Sequence, residues 1–168
     1  RFAPPRAACL LGFVAAHPEP FNSGVDAPPA DFFAAGGAER TLNRGLAGRN
    51  IIRVILDSRT IRASSSRTAA ALDAKAKKPK VPVHAVRTAD APMIRFIGSD
   101  DVNDSAALFS DWSARLQEWQ AAHSPLLFLH TPEMGDVFPL LHRLWPQIQP
   151  YSDGLPPLPD WPDQATLF

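Results

Sequence analysis

Residues 51–56 read IIRVIL, residues 93–98 read MIRFIG and residues 126–130 read LLFLH. The first is a β-branched run of the length expected for a buried parallel strand, and the other two also read as strands. Helical patterns separate them. Within Ser105–Ala122, Leu108, Trp112, Leu116 and Trp119 recur at three- to four-residue spacing and share one face. Further on, Asp136 is placed to cap a helix whose apolar face is Val137, Leu140, Leu141, Leu144, Trp145 and Ile148. On the N-terminal side, Glu39–Ala47 reads as a helix with Leu42 and Leu46 on one face and Gly48 as its stop, and Phe21–Asp26 as a further short strand. Such alternation predicts neighbouring parallel strands near 22–26, 51–57, 93–98 and 125–130, with the intervening helices on one outer side. About four βα units are visible. An open doubly wound sheet and part of a (β/α)₈ barrel both fit this pattern.

Composition narrows the class. The chain has 168 residues, 45% apolar and 20% charged, which fits one globular domain with a real core. Its single cysteine, Cys9, excludes a disulfide framework and a multi-cysteine metal site. No apolar run approaches the roughly 20 residues of a spanning helix. Ala7–Ala16, preceded by Arg1 and Arg6, mimics a secretory signal, but Pro4, Pro5 and Pro18 frame Arg6–Ala16 as a buried amphipathic helix. Net charge is zero, yet residues 40–95 carry 13 Lys/Arg against three Asp, while residues 96–168 carry two Arg against ten acids. The basic excess centres on residues 58–90, read as a long irregular insert containing Lys75, Lys77, Lys78 and Lys80; it is either a solvated loop or a phosphate or nucleic-acid contact surface.

Five segments in order, TLNRGL (41–46), RVILDSR (53–59), KKPKVPVHAV (77–86), IRFIGSDD (94–101) and LFLHTPE (127–133), resemble the family of domain-of-unknown-function proteins numbered 72. The resemblance runs from about Phe21 to Phe168, with a weaker match before. It implies a partial TIM-barrel-like (β/α) fold, about four parallel strands with outer helices, in which residues 1–149 form the C-terminal part of the barrel and residues 150–168 a Pro-rich tail. The family has no assigned reaction, so the resemblance implies a fold and a site location. Of its pattern, Arg95 and Gly98 match Arg-x-x-Gly. A strand ending in Glu followed by Arg and His is replaced here by Asp26, Ala27, Pro28 and Pro29.

In a TIM barrel, polar residues at the strand C-terminal ends face the active site. That rule selects Asp26, Asp57 and His130 as candidate acid–base groups, and Arg59, Arg95, Ser99 and His84 as candidate substrate-binding groups. Against this, Asp57 and Arg59 also suit a structural pair, His130 a core histidine and His84 a loop histidine. Arg95 sits inside an apolar strand, where a buried guanidinium needs a partner such as Asp26 or Asp57. Asp100 and Asp101 suit a helix N-terminus. No ligand spacing supports a metal site from His84, His130 and Asp57, and the absence of GxGxxG, P-loop and GxSxG leaves the cofactor unspecified. Gln164, Leu167 and Phe168 form a Gln-x-x-Leu-Phe ending that resembles the peptide docking bacterial proteins on the replication sliding clamp. The expected function is a soluble cytoplasmic barrel enzyme of unassigned reaction on a phosphorylated or sugar-like small molecule. The rivals are a DNA-associated interaction protein that uses the basic insert and the tail, and an inactive relic.

Overall fold

The computed structural model describes residues 35–78, 80–151 and 157–159. Within them the chain runs α1 (Gly37–Ala47), β1 (Val54–Asp57), α2 (Arg59–Ala63), α3 (Ala69–Lys77), β2 (Met93–Ile97), α4 (Val102–Gln120), β3 (Leu126–His130) and α5 (Val137–Ile148). The three strands form one sheet in the order β1-β2-β3, and both pairings are parallel. The three central apolar runs are thus neighbouring parallel strands, as their composition and the helices between them require. The fourth strand and the first helix expected from the sequence, at 22–26 and Arg6–Ala16, lie outside the described residues.

Period-two alternation divides the sheet into two unlike faces. Ile55, Ile94 and Phe96, with Leu127 and Leu129, pack against Phe109, Trp112, Leu116 and Trp119 of α4 and Leu140 and Leu144 of α5. Phe96 meets Phe109 edge to face at 5.2 Å, and Trp112 lies 6.4 Å from Trp119. Each such side chain contributes roughly 1.5–3 kcal/mol when fully buried, so this helix-covered face is the main apolar core. Asp101 caps α4 by accepting the N–H of Asn103 and of Asp104, which satisfies two of the donors a helix start leaves open.

The other face carries Val54 and Leu56, Met93, Arg95 and Ile97, and Leu126, Phe128 and His130. It is covered only in part. Ile61 of α2 and Ala74 of α3 pack on Ile97 and Leu56 near the strand C-terminal ends. The hydroxyl of Thr60 donates to the carbonyl of Ile97. Two expectations are corrected here. Residues 58–90 are not an irregular insert throughout, because they contain α2 and α3. The helices are not all on one side, because this pair folds over the face opposite α4 and α5. Its small apolar side chains, Ile61, Ala71 and Ala74, find cover there.

Two turns set the ends of elements. Gly48 after α1 stays right-handed at φ −62°, and Asn50 takes the left-handed conformation at φ 52°, a role Asn fills more readily than most residues. Gly98 closes β2 where space is shortest. A Cβ there would lie 2.6 Å from Leu140 Cδ2 and 3.3 Å from Ser105 Oγ. The glycine of the Arg-x-x-Gly pattern therefore lets α4 and α5 approach the end of β2. Leu140 is itself fully buried, so Gly98→Ala is expected to cost about 1–3 kcal/mol by overpacking, read as a lowered denaturant midpoint with unchanged slope. An unchanged midpoint would show that the contact relaxes freely.

Candidate functional site

The structure separates the residues that the strand-end rule grouped. Asp57 is fully buried and faces α4, not the opposite face. Its Oδ2 accepts the indole N–H of Trp112 at 2.8 Å. Its carboxylate also accepts the backbone N–H of Arg59 at 3.0 Å and the Arg59 guanidinium at 2.9 Å from Nη2. Arg59 extends to Asp111 of α4 at 2.6 Å. The Asp57 bond and the Asp111 bond hold the Arg59 pKa above its ordinary value, outweighing partial burial. Here Asp57 and Arg59 are a clamp joining the end of β1 to α4. Ser99 is also buried, with its N–H on Ser105 Oγ at 2.9 Å and its hydroxyl on the Asp101 carbonyl, and so shapes the β2–α4 turn. Asp100 accepts from the hydroxyls of Ser64 and Ser66.

His84 belongs elsewhere. Its Nδ1 lies 2.8 Å from Glu39 Oε1, and Arg53 Nη1 donates to the same oxygen at 2.8 Å. Glu39 is on α1 and Arg53 precedes β1, so this cluster ties α1 and the segment around His84 to the strand N-terminal end. Thr88 adds to the tie by accepting the Arg53 N–H and donating to the Ile51 carbonyl. Burial pushes the Glu39 carboxyl up, but the hydrogen bonds from His84 and Arg53, with their charge, hold it below 4.5. In the sequence Glu39 stands out only as a helix start, because its partners here are 14 and 45 residues away.

Arg95 and His130 are the two candidates that share a face. Arg95 pairs in register with Leu56 and Phe128, and His130 with Ile97, so His130 is diagonal to Arg95 one row toward the strand C-terminal ends. Arg95 is exposed, contrary to the expectation of a buried guanidinium, because this part of the face is open. Neither side chain has a hydrogen bond or ion pair among the described residues. Burial lowers the His130 pKa below 6.5, and the positive charges of Lys78 and Arg95 lower it further. Lys78, which follows α3, is therefore near enough for its charge to act on the His130 ring. The sequence placed it among the lysines of a basic loop, where nothing singled it out. Lys75 and Lys77 of that run are engaged locally, by the carbonyls of Ser64 and Ser66 and by Asp73.

Asp57, His84 and His130 do not converge, and among the described residues no group of three or more His, Cys, Asp or Glu is placed to hold a metal ion. Among the same residues no helix is long and apolar enough to cross a membrane. Asp26, Cys9 and the tail residues Gln164, Leu167 and Phe168 lie outside the described residues.

Fold and site together define an α/β protein with a parallel sheet, its two larger helices packed on one face, and the shorter α2–α3 pair with Arg95 and His130 on the other. A family model described as "Protein of unknown function DUF72" matches residues 1–164, and the chain belongs to that family. The match begins well before Phe21. The chain is 44% identical over 167 residues to the UPF0759 protein YecE of Escherichia coli strain K12, and equally to the protein of the same name from Escherichia coli O157:H7. Each alignment covers 99% of this chain and 61% of the relative, so the chain spans under two thirds of the length of these curated relatives. No solved structure matches the chain.

The Glu39 cluster yields a pH dependence. A carboxyl held below its unfolded value contributes stability that is present above pH 4.5 and is lost as pH falls through the folded value. Glu39→Gln should lower stability at neutral pH by about 1.5–3 kcal/mol, the range for a charge-assisted hydrogen bond. It should also flatten the fall in stability below pH 4.5. Parallel acid limbs for the two proteins, followed by urea unfolding, would contradict this.

Proposed function

We propose that the chain is part of a TIM-type (β/α) barrel enzyme, and that the face carrying Arg95, His130 and Lys78 is its inward, ligand-binding side. Three observations support the barrel. The strands are parallel and adjacent in chain order, the larger helices cover one face, and polar groups gather toward the strand C-terminal ends of the other. Barrel enzymes place their chemistry at those ends. Asp26, from the strand expected at 22–26, is the candidate to bring a carboxylate to this site.

The observation that carries the functional reading is that Arg95, with Lys78 acting on the neighbouring His130, has no acid paired to it among the described residues. A structural arginine in a strand is normally paired with an acid. Here Asp57, at the end of the neighbouring strand, is turned to the other face and fully engaged. Burial and the charges of Lys78 and Arg95 disfavour the protonated form of His130, a bias that a bound anion offsets. The ligand is accordingly an anionic small molecule. Arg95 offers a planar set of donors suited to a phosphate or carboxylate, and Lys78 adds charge from the α2–α3 side. His130, neutral at pH 7, is the acid–base group. An anion beside it favours its protonated form, so ligand binding draws a proton onto the ring.

Two results are expected in calorimetric titrations with sulfate, an anion that does not itself titrate in the range used. Affinity should rise as pH is lowered through the folded pKa of His130, below 6.5. Arg95→Met should lose about 1.5–3 kcal/mol of binding, at least tenfold, with an unchanged melting temperature because its side chain is exposed and makes no bond among the described residues. Equal binding by the two proteins would remove Arg95 from the site. A collapse in melting temperature would make it structural.

A further inference from the structure

We infer that the anion taken by this site is the phosphate of a ring-bearing phosphomonoester, with the Phe128 side chain as the platform under the ring. The inference rests on the anion-site reading above and adds the other half of the ligand.

Phe128 occupies the middle of β3, between Leu127 and Leu129, both turned toward the core. Its own side chain is 56% exposed, the largest exposed apolar group in the sheet. It pairs in register with Arg95, so the ring and the guanidinium project from adjacent positions on one face. Along β3 on that face the order is Leu126, Phe128, His130. Cations therefore lie beside Phe128 and toward the strand C-terminal end, and apolar groups continue toward the N-terminal end, where Leu126 and Val54 are also exposed.

A bare phosphate held by Arg95 and His130 leaves this apolar strip in water. An ester whose phosphate sits between those two side chains has Phe128 directly beside it. A flat aromatic ring, or the C–H face of a sugar, can then cover the exposed phenyl group. A long acyclic chain loses more rotational freedom for the same cover. The polarity of the face thus matches a molecule with a charged phosphate at one end and a ring at the other.

The test uses the 168-residue chain and four probes in calorimetric titrations: inorganic phosphate, glycerol phosphate, glucose 6-phosphate and phenyl phosphate. At least one ring ester should bind about fivefold or more tightly than inorganic phosphate and glycerol phosphate. If only phenyl phosphate gains, the ring is aromatic; if glucose 6-phosphate also gains, a sugar face suffices. Phe128→Ala should erase the gain and leave inorganic phosphate binding unchanged. Phe128→Tyr should keep it, and Phe128→Leu, which keeps apolar cover without a ring, should lose most of it. Circular dichroism checks the fold of each variant, and Phe128→Leu replaces the alanine variant if that one unfolds. Equal affinities for all four probes, or a ring preference that survives Phe128→Leu, would overturn the platform while leaving the anion site standing. Failure of all four to bind would overturn both readings.

Discussion

The buried carboxylate of Asp57 sets the arrangement of the rest. A charge removed from water must be fully hydrogen-bonded, and here the Arg59 backbone, the Arg59 guanidinium and the Trp112 indole supply the bonds. Those bonds fasten the C-terminal end of β1 to the middle of α4. They also fix the register of faces. With Asp57 toward the helices, alternation turns Leu56 the other way, and its register partner Arg95 goes with it. Removing one partner of such a group leaves a buried charge uncompensated, which costs more than the bond itself contributes.

The same constraint shapes the candidate site. Because the acid at the end of β1 is committed to the helix face, Arg95 and His130 on the other face have no acid from the described strands to neutralise them. The α2–α3 pair leans over Ile97 and Leu56 on that face and ends in Lys78, adding charge of the same sign. What results is a surface that is apolar toward the strand N-terminal ends and cationic toward the C-terminal ends. The Glu39–Arg53–His84 cluster sits at the opposite, N-terminal end of β1. In a barrel, that is where polar clusters serve stability and not chemistry.

Much of the fold was legible in the sequence because strands and long helices carry strong periodic signals. MIRFIG and LLFLH contain β2 and β3, IIRVIL overlaps β1 at residues 54–56, and the spacing of Trp112, Leu116 and Trp119 marks the buried face of α4. The α2–α3 pair was hidden because it is short and alanine-rich, with serines before α3 and lysines within and after it, so no broad apolar stripe stands out. The candidate site was legible as a list of residues and not as an arrangement. The strand-end rule selects Arg95 and His130 together with Asp57, Arg59 and Ser99, since proximity to a strand end does not say which face a side chain takes. That choice depends on register with neighbouring strands. The position of His84 beside Glu39 was not legible for a related reason: the two are 45 residues apart, and no local pattern links them.

Anomalous X-ray diffraction from crystals of the chain soaked in selenate tests the central claim most directly, because it locates a tetrahedral dianion without relying on affinity. The expected result is a selenium peak within hydrogen-bond distance of the Arg95 guanidinium and the His130 ring, with Lys78 nearby and Asp57 still bonded to Trp112. A peak on the Asp57–Arg59 side of the sheet, or an acidic side chain found paired to Arg95 with no peak beside it, would contradict it.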